Sequence, residues 1–160
     1  MQQLFHHRLV TFIIIPLMVL GLGACKQGIV FEKSQSVNKD GWHYQDTVFF
    51  EHEFTDTLAL YDIYLNVRNT DDYPYRNFYV FFETTFPDGR VFRDTIETFL
   101  ADRTGQWTGS GLGRTKSNSF HFRKDVWFPV EGEFTFSIQH AMREEYLEGI
   151  SDIGIRIERK

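Results

Sequence analysis

One thiol, a few histidines and a scatter of carboxylates are the groups in this 160-residue chain whose types could carry chemistry. Cys25 is the single cysteine, so it has no disulfide partner within the chain. His43, His52, His121 and His140 include no close pair at metal-ligand spacing and read as exposed or core-edge residues. Ser110 lies in Thr108-Gly109-Ser110-Gly111, whereas a nucleophile elbow needs glycine two residues before and after the serine. Gly109, Gly111 and Gly113 match neither the phosphate-cradling nor the dinucleotide-binding spacing and read as a flexible turn. Asp62, Glu83, Asp94 and Asp102 could act as acid or base, but nothing in the sequence singles out a pair. Asp71-Asp72, just before Tyr73-Pro74, needs only a turn and no calcium. The expectation is no catalytic residue, no metal site and no cofactor.

Cys25 is different, because of what precedes it. Arg8 is followed by an almost wholly apolar run of 14 residues, Leu9 to Leu22, then by Gly23-Ala24-Cys25. The run is short for a membrane span, which takes about 20 residues, and suits the apolar region of a secretory signal, about 7–15 residues. Leu22-Gly23-Ala24-Cys25 resembles the lipobox of bacterial lipoproteins. That resemblance implies cleavage before Cys25, lipid on its sulfur and anchorage by two or three acyl chains. A single chain binds only marginally, so the additional chains are what make attachment durable. By resemblance to the lipoprotein sorting rule, Lys26 stands where an aspartate would favour the inner membrane, and no acidic pair follows within the first few residues to point to the cell surface. The expected location is therefore the outer membrane, on its periplasmic face.

Processing leaves 136 residues, enough for one domain. Arg8 leaves with residues 1–24, so 16 basic residues face 22 acidic ones and the net charge is −6. An acidic domain gains nothing from a phosphate backbone, which argues against a nucleic-acid partner. No polybasic segment supports a charge-driven contact with anionic lipid. Stability has to come from the core, and the 15 Phe left after Phe5 and Phe12 are removed, with 7 Tyr and 3 Trp, supply the buried area.

The elements read as strands. Residues 25–41 are mixed and polar and serve as a lipidated tether, although Ile29-Val30-Phe31 would also suit a first edge strand. From Trp42 the hydrophobic period is two. In 61–68 the odd positions are apolar or aromatic, and 77–86 is apolar on both faces, as in a central strand. Pro87-Asp88-Gly89-Arg90 turns the chain into 91–98. Residues 101–119 form a long glycine-containing loop or an irregular edge, 120–128, 134–139 and 153–157 are strands, and 141–148 makes one helical turn stopped by Gly149. The prediction is all-β: an antiparallel β-sandwich of seven or eight strands, jelly-roll-like in one version, spanning 42–160 with a short C-terminal helical turn.

Three stretches, 68–77 (Arg-Asn-Thr-Asp-Asp-Tyr-Pro-Tyr-Arg-Asn), 100–111 (Leu-Ala-Asp-Arg-Thr-Gly-Gln-Trp-Thr-Gly-Ser-Gly), and Met142-Arg143 with 147–157, occur in this order behind the lipobox. Together they resemble the GldH family of gliding-motility lipoproteins from Bacteroidetes. The resemblance implies a lipid-anchored envelope protein that is accessory to gliding and to the secretion system beside it, with no catalytic residue to carry over. Members in bacteria that do not glide extend the implied role to envelope assembly or secretion.

The expected partners are the membrane, through lipid, and another envelope or gliding-machinery protein. Tyr73, Tyr75, Arg76, Trp107 and Arg143 are the candidate docking residues, since Arg, Tyr and Trp in loops make good interface anchors. The alternative is a glycan-binding module, with Trp42, Tyr73, Tyr75, Trp107 and Trp127 stacking on sugar rings.

Overall fold

The computed structural model describes residues 28–38 and 40–160. Cys25 and the signal segment lie outside the described residues. The strands are β1 (Ile29–Ser36), β2 (Trp42–His43), β3 (Val48–Phe54), β4 (Leu60–Thr70), β5 (Asn77–Thr85), β6 (Val91–Phe99), β7 (Thr115–Trp127), β8 (Gly132–His140), β9 (Tyr146–Leu147) and β10 (Ile150–Arg159).

Eight of them build two four-stranded sheets, in the orders β1-β10-β4-β7 and β3-β8-β5-β6, while β2 and β9 pair separately. Every pairing is antiparallel. The sheets bury their facing sides, as period-two alternation requires. β8 turns Phe134, Phe136 and Ile138 inward, β5 turns Phe78, Val80 and Phe82, and β10 turns Ile153, Ile155 and Ile157. The aromatic part of the core is held ring to ring: Phe54 stacks on Phe128 with centroids 3.8 Å apart, and Phe134 meets Phe54 edge-on at 5.3 Å. β5 lies between β8 and β6, the central place that its two apolar faces implied. Its outer face is covered in part by the Arg93 guanidinium, 4.2 Å from the Phe81 ring centre.

Three expectations need correction or choice. Residues 29–36, inside the segment read as a tether, form the edge strand that Ile29-Val30-Phe31 left open, paired along β10. Of the loop or irregular edge read at 101–119, the part from Thr115 is edge strand, because β7 begins there. Thr115–Ser119 has no apolar alternation to announce it and is recruited by pairing with β4.

The helical turn at 141–148 is absent, and no residue among those described is helical. Its backbone groups bond outward instead: Ala141 N donates to Tyr79 O at 2.8 Å, and Tyr44 N donates to Glu145 O at 2.9 Å. Leu147 is buried while Tyr146 is exposed, the alternation of the short strand β9. A segment of eight residues has little helical stability of its own, so these long-range partners decide its conformation. Gly149 does terminate the segment, with φ +78°, as the turn residue between β9 and β10.

Candidate functional site

Four connections meet at one end of the sandwich: 71–76 between β4 and β5, 100–114 between β6 and β7, 141–145 between β8 and β9, and 148–149 before β10. β10 runs away from this end toward Arg159, and β1 begins beside Arg159. The chain therefore enters the fold at the opposite end. Ten residues of strand at about 3.3 Å each separate the two ends by roughly 30 Å.

Tyr73 belongs to the core, not to a docking surface. It is 3% exposed, packs edge-on against Phe78 at 6.1 Å, and its hydroxyl donates to Asn77 O at 2.7 Å. Burial pushes its phenol pKa well above the ordinary value. The aromatic tail of the 71–76 turn thus holds the turn down rather than displaying it.

The other four candidates remain near the surface and are joined through short links. Tyr75 is half-buried, meets the Tyr73 ring at 5.9 Å and donates its hydroxyl to the Glu144 carboxylate. That hydrogen bond, ahead of burial, raises the Tyr75 pKa. Tyr75, Asn77, Tyr79, Met142 and Arg143 line a shallow cavity of about 480 Å³. Arg76 is exposed, with its guanidinium 4.5 Å from the Phe99 ring centre. Its carbonyl accepts from Leu100 N and Ala101 N, at 2.9 and 3.2 Å. Ala101 in turn bridges to Trp107. Trp107 is only half-buried and packs against the core. Arg143 is exposed.

The long loop is rigidly built. Asp102 Oδ1 accepts from Thr104 Oγ1 (2.7 Å), Thr104 N (2.8 Å) and Gln106 N (3.0 Å). These bonds, that from the Thr104 hydroxyl first, hold its carboxyl below the usual range. A polar chain ties the loop to the first sheet: Asn118 Nδ2 donates to Asn69 Oδ1 at 3.1 Å, and Thr108 Oγ1 donates to Asn118 Oδ1 at 3.0 Å. Asn69 is fully buried. A Cβ at Gly109 would stand 2.6 Å from Asn118 Nδ2, so this chain leaves room there only for glycine.

Sequence reasoning missed Asn69, Asn118 and Thr108, whose partnership depends on the β4–β7 register and has no local signal. It also passed over Leu112, which is 97% exposed between two glycines of the loop. An apolar residue in an otherwise polar, glycine-flanked run was the available sign.

The groups weighed for chemistry are dispersed. His43 Nε2 is 3.7 Å from Glu145. The His52 ring lies between those of Phe31 and Phe54, at 4.8 and 4.6 Å. His121 stacks on Tyr64, and His140 is buried beside Trp42. Asp62 accepts from Asp125 N at 3.0 Å, and Asp94 pairs with Arg123. Among the described residues no three His, Cys, Asp or Glu side chains gather at a spacing that would hold a metal. The three tryptophans do not share a face: Trp42 is 1% exposed, Trp107 is at the loop end, and Trp127 lies at the opposite end.

The profile of the GldH lipoprotein family matches residues 29–157, from the first residue of β1 into β10. The chain belongs to the GldH lipoprotein family. A relative from Christiangramia forsetii, named gliding motility lipoprotein GldH homolog, is 35% identical over 156 residues, covering 93% of this chain and 94% of the relative. The gliding motility lipoprotein GldH of Flavobacterium johnsoniae is 31% identical over 154 residues, covering 92% and 95%. The VP2 subviral particle of infectious bursal disease virus is similar to 81% of this GldH-family chain with a TM-score of 0.35 at 12% identity. That match spans 30% of the viral chain.

Proposed function

We propose that this GldH-family chain is a lipid-anchored, non-enzymatic protein of the cell envelope that serves gliding motility, and the secretion apparatus beside it, by holding another envelope protein. It is anchored through Cys25 in the outer membrane, facing the periplasm. The docking surface is the end carrying Tyr75, Arg76, Leu112 and Arg143, with Trp107 as its half-buried support.

One observation carries this reading. The exposed arginines and the exposed leucine converge on rigid loops at the end of the sandwich opposite the point where the chain enters. A surface so placed points away from the anchor and is open to a partner. Lipid confines the protein to the membrane, so a modest interface is enough there. The separation of the three tryptophans disfavours a row of sugar-stacking platforms, and so the glycan module.

The test is crosslinking in intact cells and recovery through a tagged lipoprotein, comparing wild type with an Arg76→Ala/Arg143→Ala variant. Both residues are exposed, so the fold should survive. Recovery of the crosslinked partner should drop severalfold. Equal recovery from the variant would reject this surface.

A further inference from the structure

The opposite end of the sandwich carries its own unexplained feature. Gly28 O accepts from Arg159 N at 2.6 Å, so the lipidated segment leaves the fold beside the last residues of β10. Lys160 N donates to Leu60 O at 3.0 Å, and Leu60 lies opposite Trp127. Gly28, Arg159, Leu60 and Trp127 therefore form one row across the end of the first sheet. Strand spacing of about 4.8 Å puts Trp127 roughly 15 Å from Gly28.

Only three residue steps separate Gly28 from Cys25, a reach of at most about 11 Å. An acyl chain on Cys25 would keep Gly28, one end of this row, within about 11 Å of the bilayer surface.

The row and its adjoining turn display large apolar side chains where the bilayer would meet them. Leu58 is 91% exposed, Trp127 is 58% exposed, and Leu60 and Phe92 are also exposed. Leu58 does not sit on a loose loop. Asp56 Oδ1 accepts from Leu58 N at 2.9 Å and from Ala59 N at 3.1 Å, and Arg159 pairs with Asp56. The Trp127 indole N–H donates to Thr57 O at 2.5 Å, fixing the ring over the same turn. Phe92 and Trp127 line one shallow cavity. The neighbouring charges are matched: Lys160 Nζ is 2.5 Å from Asp125 and 3.7 Å from Asp62. Around Leu58 and Trp127 this end thus carries rigid apolar groups beside paired charges, while the exposed Glu53 and Glu133 lie on the second sheet. Tryptophan and leucine so displayed suit the headgroup region, where an amphipathic ring is at home.

We infer that this end of the sandwich rests on the bilayer that holds the anchor, with Leu58 and Trp127 seated among the lipid headgroups. The inference rests on the lipid-anchored reading and adds an orientation to it: the body stands on the membrane by a fixed foot, with the candidate docking loops roughly 30 Å above.

The experiment uses the full lipidated protein in vesicles of phosphatidylethanolamine and phosphatidylglycerol, with and without acyl chains brominated near the headgroup. Bromolipid should quench part of the tryptophan emission. That quenchable part should vanish in Trp127→Phe, leaving the emission of Trp42 and Trp107 unquenched. A Leu58→Asp variant, which keeps all three tryptophans, should still float with the vesicles but show weaker quenching. Flotation of the wild type without quenching, or quenching unchanged in Trp127→Phe, would overturn the seated end while leaving the anchor intact. Failure of the wild type to float with vesicles would overturn the anchor, and the seating with it.

Discussion

The Arg76 guanidinium lies over the Phe99 ring, 4.5 Å from its centre, and joins the β4–β5 turn to the end of β6. The same arginine holds Leu100 and Ala101 through its carbonyl. Its backbone is thus structural, while its side chain stays exposed and available. An exposed cation–π contact contributes about 0.5–1 kcal/mol. Arg76→Ala should cost no more than about 1 kcal/mol in urea unfolding, yet reduce partner recovery severalfold. A large stability loss with unchanged recovery would make Arg76 a purely structural residue.

Leu112 offers a cleaner probe. It is almost wholly exposed and flanked by glycines, so Leu112→Ser should change stability by less than about 0.5 kcal/mol. Crosslinked partner should nevertheless fall, because an exposed apolar side chain contributes only when it is covered. Thermal melting and crosslinking yield on the same preparation separate the two effects.

Asp102 orders the loop through its hydrogen bonds to Thr104 and Gln106. Asp102→Ala should leave the melting temperature nearly unchanged while opening 102–114 to protease. Acid should do the same in the wild type. A carboxyl held below its ordinary pKa contributes order above that value and loses it as pH falls through the folded pKa. Limited proteolysis from neutral pH down to about pH 3, mapped by mass spectrometry, reads both.

Gly149 and Tyr73 are in closer contact than any side chain allows. Gly149 has φ +78°, and a Cβ there would run into the Tyr73 backbone. Thr70 N also donates to Gly149 O at 2.8 Å, so the turn cannot move away freely. Gly149→Ala should destabilise the domain by about 2–4 kcal/mol, combining left-handed backbone strain with overpacking. Denaturant titration checks it, and a loss below about 1 kcal/mol would mean that the turn relaxes.

His140 and His52 set a pH dependence of stability. Burial lowers the pKa of both; at His52 the Lys33 charge adds to burial and Glu53 opposes it. The unfolded chain takes up these protons near the ordinary value of 6.5, and the folded chain resists them. Stability is then full above that value and declines as pH falls below it. The melting temperature should drop between pH 7 and about pH 5, and His140→Asn should flatten that slope. An equally steep slope in the variant would assign the effect elsewhere.

From the residues in order came the all-β class, the central place of β5 and the family resemblance. Each depends on local alternation or on short stretches read in sequence, and both survive whatever the distant chain does. Only the folded chain decided that Tyr73 is core, that 141–148 extends rather than coils, and that β7 begins at Thr115. It also decided that Asn69 and Asn118, 49 residues apart, position the Trp107 loop. Those outcomes follow from register and from which backbone partners are satisfied across the sheets. A one-residue shift in pairing would turn the same side chains to the other face, and in Thr115–Ser119, which lacks apolar alternation, nothing local in the sequence selects between the two.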